Sequence, residues 1–332
     1  LLLAAGFYFV QPLLLSAAAA LLAFAVLIFL GASFQALRGV PSTSPTIRGL
    51  KLALLGLAGV VGIGVLMALA LAHGWALDLP ALADLHAGWG LGGWAGVLLA
   101  AMAYVVVPMF QLTPGYPARP SWWFPVALFV CLLTWTIAVL ADWQVLVRIS
   151  QGLAAVAGIG FASLTLRLQG KRRRARPDAT YRYWQLGLGS SVFALFLLLT
   201  AAVWPAASDI AGWPLFFGLL LLLGGFIPFI VGMIYKIVPF LAWLLLQNCG
   251  QAKIPAPNMN KILSDLDMQR QMKAYAFALC LLLAAVFIPD WLARPAGLVF
   301  AIANAWLFRN LWLAIRRYRM HTTEILEKLA AR

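Results

Sequence analysis

Nine long apolar runs alternate with short polar connections along this chain, near residues 12–37, 52–73, 87–110, 123–141, 149–167, 184–204, 214–246, 273–289 and 296–315. Each can cross a bilayer core of roughly 30 Å at about 1.5 Å per helical residue. The pattern predicts an all-α, polytopic transmembrane protein with nine complete spans in a single integral membrane domain over residues 1–332. The run at 214–246 exceeds one span and contains Pro228 and Pro239, which predicts a kink or an interfacial ending. Residues 1–11, LLLAAGFYFVQ, read as the end of an earlier helix. They lack the basic n-region and small-residue cleavage site of a signal peptide. About two further spans are expected upstream.

Charge adds an orientation. Connections taken alternately fall into two sets. One set carries Arg38, Arg48 and Lys51, then Arg119, then RLQGKRRRARPDATYRYW, then residues 247–272, then the tail from Arg316. The other set, 74–85, 142–148, 205–213 and 290–295, holds only Arg148 and Arg294, together with Asp78, Asp84, Asp142, Asp209 and Asp290. Basic loops stay in the cytoplasm, so the tail at 316–332 is expected there, in a bacterial inner membrane. The formal net charge of +14 is accounted for by these loops, with lipid head groups and not nucleic acid as their partner. Lys236 and Arg309, near cytoplasmic span ends, read as snorkelling side chains. IPAPNMNKILSDLDMQRQMKAY reads as an interfacial helix leading into the next span.

No Asp or Glu falls inside a run, which disfavours a carboxylate-driven pump or antiporter. Cys131, Cys249 and Cys280 are too scattered for a disulfide framework or a cluster. His321, in the tail, reads as a plain surface residue.

Internal symmetry is visible. MAYVVVPMF at 102–110 and MIYKIVPFL at 233–241 share Met-x-Tyr-x-x-Val-Pro, and the same shift carries Gly93 onto Gly224. Three runs separate the two segments, which predicts parallel four-helix repeats with repeat helices at 86–110 and 217–241. In the second copy the counterpart of His86 is Phe217.

The stretch HAGWGLGGWAGVLLAAMAYVVVP, beginning at His86, then carries a family resemblance. A helix reading His, small residues, Gly-Trp, then an aromatic residue and Pro resembles subunit I of haem–copper oxidases, in the branch of C-type cytochrome oxidases and nitric oxide reductases. The match places the first histidine of that family's ligand pair on His86, Gly-Trp on Gly93 and Trp94, and the helix end on Tyr104 and Pro108. The second histidine falls on Gly88, and the chain has neither a His-His pair nor a His-x-x-x-Tyr motif. The resemblance implies a degenerate relative without a binuclear oxygen- or NO-reducing centre and without catalytic residues. It would either hold one haem b through His86 or serve as a non-catalytic scaffold beside other membrane subunits of a respiratory-type complex. A transporter or permease built from parallel four-helix repeats is the alternative. Its sign would be a broken helix around Pro228.

Read from the residues alone, His86 is either a metal or haem ligand or a polar residue satisfied at a helix mouth. A helical wheel puts His86, Gly90, Gly93, Val97 and Tyr104 on one face, with Gly88, Gly92, Gly96 and Ala100 on an adjacent small-residue stripe suited to close helix packing. His73 could pair with His86 around one metal, with Asp78 or Asp84 as a carboxylate partner. Tyr104 and Tyr235 read as caps on kinked helix ends or as members of the aromatic belt.

Overall fold

In the computed structural model, residues 1–173, 176–251 and 253–331 are described, and among them there is helix and no strand. They form two compact units, Leu1–Arg172 and Arg173–Arg332. The first unit contains α1 (Leu2–Phe9), α2 (Pro12–Leu37), α3 (Pro45–His73), α4 (Leu79–Gln111), α5 (Ala118–Leu140) and α6 (Gln144–Gly170). The second contains α7 (Ala179–Val203), α8 (Trp213–Cys249), a single turn Met259–Ile262, α9 (Asp265–Ala285) and α10 (Pro289–Ala330).

Eight of these helices are long and apolar enough to cross a membrane: α2 to α8 and α10. The expected ninth, the run at 273–289, lies on α9. That helix starts further upstream and carries Asp265, Asp267, Arg270 and Lys273 in its first half, leaving a short apolar remainder. Large apolar side chains such as Phe24, Leu27 and Phe29 on α2 are exposed, as expected for helices that face lipid rather than water. The protein is a multi-pass helical membrane protein.

Local chemistry sets the helix starts. Ser44 caps α3 through the Ile47 amide, Asp78 caps α4 through Ala81 at 3.1 Å, and Asp178 caps α7 through Tyr181 at 2.9 Å. Pro45 and Pro80 occupy first-turn positions where a missing N–H costs nothing. The Asp78 cap moves the start of α4 eight residues ahead of the apolar run, so His86 lies two turns inside the helix and not at its mouth. Asp84 is therefore helical as well.

Each unit packs in the same order within itself. In the first, α3 lies along α4, and α5 and α6 pair as a hairpin that also touches α3 and α4. In the second, α7 lies along α8, and α9 pairs with α10 while touching α7 and α8. Each also contains an eight-residue π-helical segment, Trp89–Gly96 in α4 and Leu219–Phe226 in α8.

The second π segment explains why α8 runs on past Pro228 without breaking. In a π register the amide of residue 228 would bond the Leu223 carbonyl, but proline has no N–H. The Tyr275 hydroxyl of α9 donates to that carbonyl instead, at 2.6 Å. The segment 254–275 forms the turn Met259–Ile262 and the start of α9, in place of a separate interfacial helix. The tail is the continuation of α10, a helix of 42 residues.

Candidate functional site

The seam between α3 and α4 positions His86. Side-chain-free positions on α3 receive α4 residue by residue in antiparallel register. A Cβ on Gly49 would lie 2.7 Å from Ala101 Cβ, one on Gly56 2.2 Å from the Gly93 carbonyl oxygen, and one on Gly64 2.9 Å from His86 Cε1. Such close approach is how membrane helices gain packing energy where lipid removes the hydrophobic drive between them. The two faces drawn on the helical wheel separate in space. His86 and Gly90 meet α3, whereas Gly88 and Gly92 meet Trp135, Leu132 and Leu128 of α5. Gly93 lies between, with its carbonyl against Gly56 of α3 and Leu132 of α5 3.1 Å from where its Cβ would be.

At the end of this seam His86 Nδ1 lies 2.9 Å from the Val60 carbonyl oxygen. A carbonyl only accepts, so Nδ1 carries the proton and, in the neutral ring, Nε2 carries the lone pair. The α3 backbone thus fixes both the tautomer and the ring plane, as backbone carbonyls do for metal-bound histidines.

Gly88, where a second histidine would fall, is filled from outside its own helix. A Cβ there would lie 2.3 Å from the Trp135 ring. At the next residue, the Trp89 indole donates to Thr136 Oγ1 at 2.9 Å, and Thr136 donates to the Leu132 carbonyl at 2.8 Å. Trp89 is buried, so Thr136→Val should orphan its N–H and destabilise the protein by about 1–3 kcal/mol. Thermal unfolding of the purified protein would measure this, and adding Trp89→Phe should recover part of the loss.

His73 is not part of this arrangement. It is exposed at the end of α3 and stacks on Trp75 at 5.8 Å. It lies nine residues beyond Gly64, about 13 Å along the helix axis from the His86 ring. Among the described residues no three His, Cys, Asp or Glu side chains come together as a metal cluster. His321 pairs with Glu324 at 3.0 Å on the C-terminal part of α10.

The two motif tyrosines have different surroundings. The Tyr104 ring packs edge-on to Tyr116 at 5.1 Å and against Phe161. Tyr116, in the α4–α5 connection, bonds Thr165 at 2.9 Å, and burial holds its hydroxyl well above the ordinary phenol range, so it stays a donor.

Tyr235 instead enters a buried polar network in the second unit. Gln271 Oε1 accepts from the hydroxyls of Tyr183 and Tyr235, while Gln271 Nε2 donates to the Ala303 carbonyl at 3.0 Å. Asn310 Nδ2 donates to the Tyr235 hydroxyl at 3.0 Å. Gln271 and Asn310 are almost wholly inaccessible. Beside the network, Lys236 forms an ion pair with Asp178 at 3.0 Å, where the sequence suggested a snorkelling side chain.

Sequence reasoning missed Val60, Gly64, Trp135 and the Gln271 network. Asn310, one of two amides with Asn304 in the apolar run at 296–315, was an available signal for the network. No protein-family model matches the chain, and no curated protein or solved structure is detectably similar to it.

Proposed function

We propose that this chain is a membrane protein of the haem–copper-oxidase-subunit-I type whose first unit holds a single haem b through His86 Nε2. The observation that carries the reading is the His86 Nδ1–H bond to the Val60 carbonyl, which orients the imidazole and leaves Nε2 as the free electron pair. The residues present offer such a group one ligand nitrogen, His86 Nε2. They do not fit a second at position 88, because the Trp135 ring takes the space a side chain there would need. Bound there, the group supplies a one-electron iron couple. The chain's own contribution is to bind the iron at Nε2, to hold the ring through Val60 and Gly64, and to exclude a second imidazole from Gly88.

The scaffold in this reading is a parallel four-helix repeat, α3 to α6 followed by α7 to α10. The matched packing order within each unit and a π segment in the second helix of each support it. With α9 as a ninth span, the basic connections and the α10 tail lie on the cytoplasmic side of a bacterial inner membrane. The continuity of α8 through Pro228 favours this reading over a permease with a broken helix.

The test is an absorption spectrum and iron content of the full-length chain extracted from membranes in mild detergent. The expected result is a Soret band with a b-type pyridine haemochrome at one haem per chain, lost in His86→Ala. A preparation free of iron, or an unchanged spectrum in His86→Ala, overturns the haem assignment.

A further inference from the structure

An open apolar groove runs along the first unit between α2, α3 and α4, with a volume of about 340 Å³. Phe29, Ser33 and Leu37 form one wall, Leu54 the floor, and Trp94 and Leu98 the other wall. This volume falls within the usual range of small-ligand sites, roughly 300–1,000 Å³. Every wall belongs to a helix apolar enough to span a membrane, so whatever fills the groove is drawn from the bilayer.

One end of the groove is marked by charge. Leu37 precedes Arg38, and Leu50, which also lines the groove, precedes Lys51. The connection folds back so that Lys51 Nζ donates to the Val40 carbonyl at 2.6 Å and to Ser42 Oγ at 3.2 Å. This places the ammonium beside the residues that follow Arg38. One turn away, the Arg48 guanidinium lies over the Trp122 ring at 4.9 Å and near Trp123 at 5.8 Å. That arrangement suits a cation held at a membrane interface. Residues 38–51 contain three cations and no acid.

We propose that this groove is a binding site for one anionic phospholipid, taken from the leaflet that faces the 38–51 connection. Its acyl chain lies between Phe29 and Trp94, and its phosphate is met by Arg38, Arg48 and Lys51. A cation near an anionic head group contributes about one factor of five in affinity. A chain lodged in an apolar groove gains contacts that an annular lipid lacks. The site therefore selects by head-group charge and, separately, by groove volume. This inference is independent of haem binding.

The test uses delipidated full-length protein titrated with phosphatidylglycerol, with phosphatidylcholine of the same chains, and with inorganic phosphate alone, read by native mass spectrometry. One phosphatidylglycerol should be retained about tenfold or more tightly than phosphatidylcholine. Arg38→Gln with Arg48→Gln, which leaves only Lys51, should lower it severalfold towards the phosphatidylcholine level. Ser33→Trp, which fills the groove, should weaken both lipids, and phosphate should not compete below millimolar concentration. As a check that needs no groove-filling variant, phosphatidylglycerol brominated on its acyl chain should quench the wild type more than Trp94→Phe. Equal retention of the two lipids overturns the proposal. So does unchanged retention in folded Ser33→Trp, or equal quenching with and without Trp94.

Discussion

Gly56→Ala is expected to unfold the α3–α4 seam and to lower the melting temperature in detergent by roughly 6–12 °C. The added methyl would sit 2.2 Å from the Gly93 carbonyl oxygen, 2.4 Å from its carbon and 2.8 Å from the Trp94 amide. All three neighbours are backbone, so no rotamer change can make room and the helices themselves must separate. Overpacking a core commonly costs about 1–3 kcal/mol, and a backbone-on-backbone clash belongs at the upper end. At about 2–4 °C per kcal/mol for a unit of this size, that becomes the stated shift. Because Gly93 and His86 share one face of α4, the same variant should also loosen the His86–Val60 bond. Gly62→Ala, on the same helix with open space around it, is the control and should melt within a degree or two of wild type. Equal melting of the two variants would refute the close approach of α3 to α4.

Gln271→Leu is expected to destabilise the second unit by roughly 2–4 kcal/mol, although leucine is the more apolar residue. The substitution removes the acceptor shared by the Tyr183 and Tyr235 hydroxyls and the donor to the Ala303 carbonyl. Each buried group left without a partner costs about 1–3 kcal/mol, while polar pairs in membrane proteins average nearer 0.6 kcal/mol of net gain. The loss therefore comes mainly from orphaned hydroxyls, and removing them should restore stability. Gln271→Leu combined with Tyr183→Phe, whose hydroxyl bonds Gln271, should recover part of the deficit, which a double-mutant cycle by chemical denaturation would measure. If the double variant is no more stable than Gln271→Leu alone, the Tyr183 hydroxyl does not depend on Gln271 in the way the geometry indicates.

The membrane-spanning architecture was largely legible because it is written in local composition. Runs such as 52–73 and 149–167 are apolar over a bilayer's thickness, and α3 and α6 contain them. The start of α4 was misread because the apolar run begins at residue 87, while the helix is nucleated earlier by the Asp78 cap and Pro80. α9 is not among the helices that length and composition mark as spans, because its apolar stretch shares the helix with the charged turns that precede it. The continuity of α8 was illegible from its own residues. It depends on the Tyr275 hydroxyl, 52 positions beyond the carbonyl it serves.

The site was legible only in part, for the same reason. His86 stands out as a histidine in an apolar run, but its partner is a backbone carbonyl at Val60, and any residue type supplies one. The glycines of α4 announced close packing without saying what they pack against. Gly90 meets α3 and Gly88 meets α5, and only three-dimensional placement separates the two. The Gln271 network gathers residues from α7, α8, α9 and α10, and apart from Asn310 each is unremarkable in its own segment.

The fit of the Trp135 ring into the space above Gly88 ties together two positions that are 47 residues apart. Neither can drift alone. A methyl at 88 demands a smaller ring or none at 135, and a smaller residue at 135 leaves a hole that a longer side chain at 88 could fill. Homologous chains should therefore change at these two positions as a pair. Those that have traded the indole for a small residue are the ones in which a second imidazole could enter at position 88.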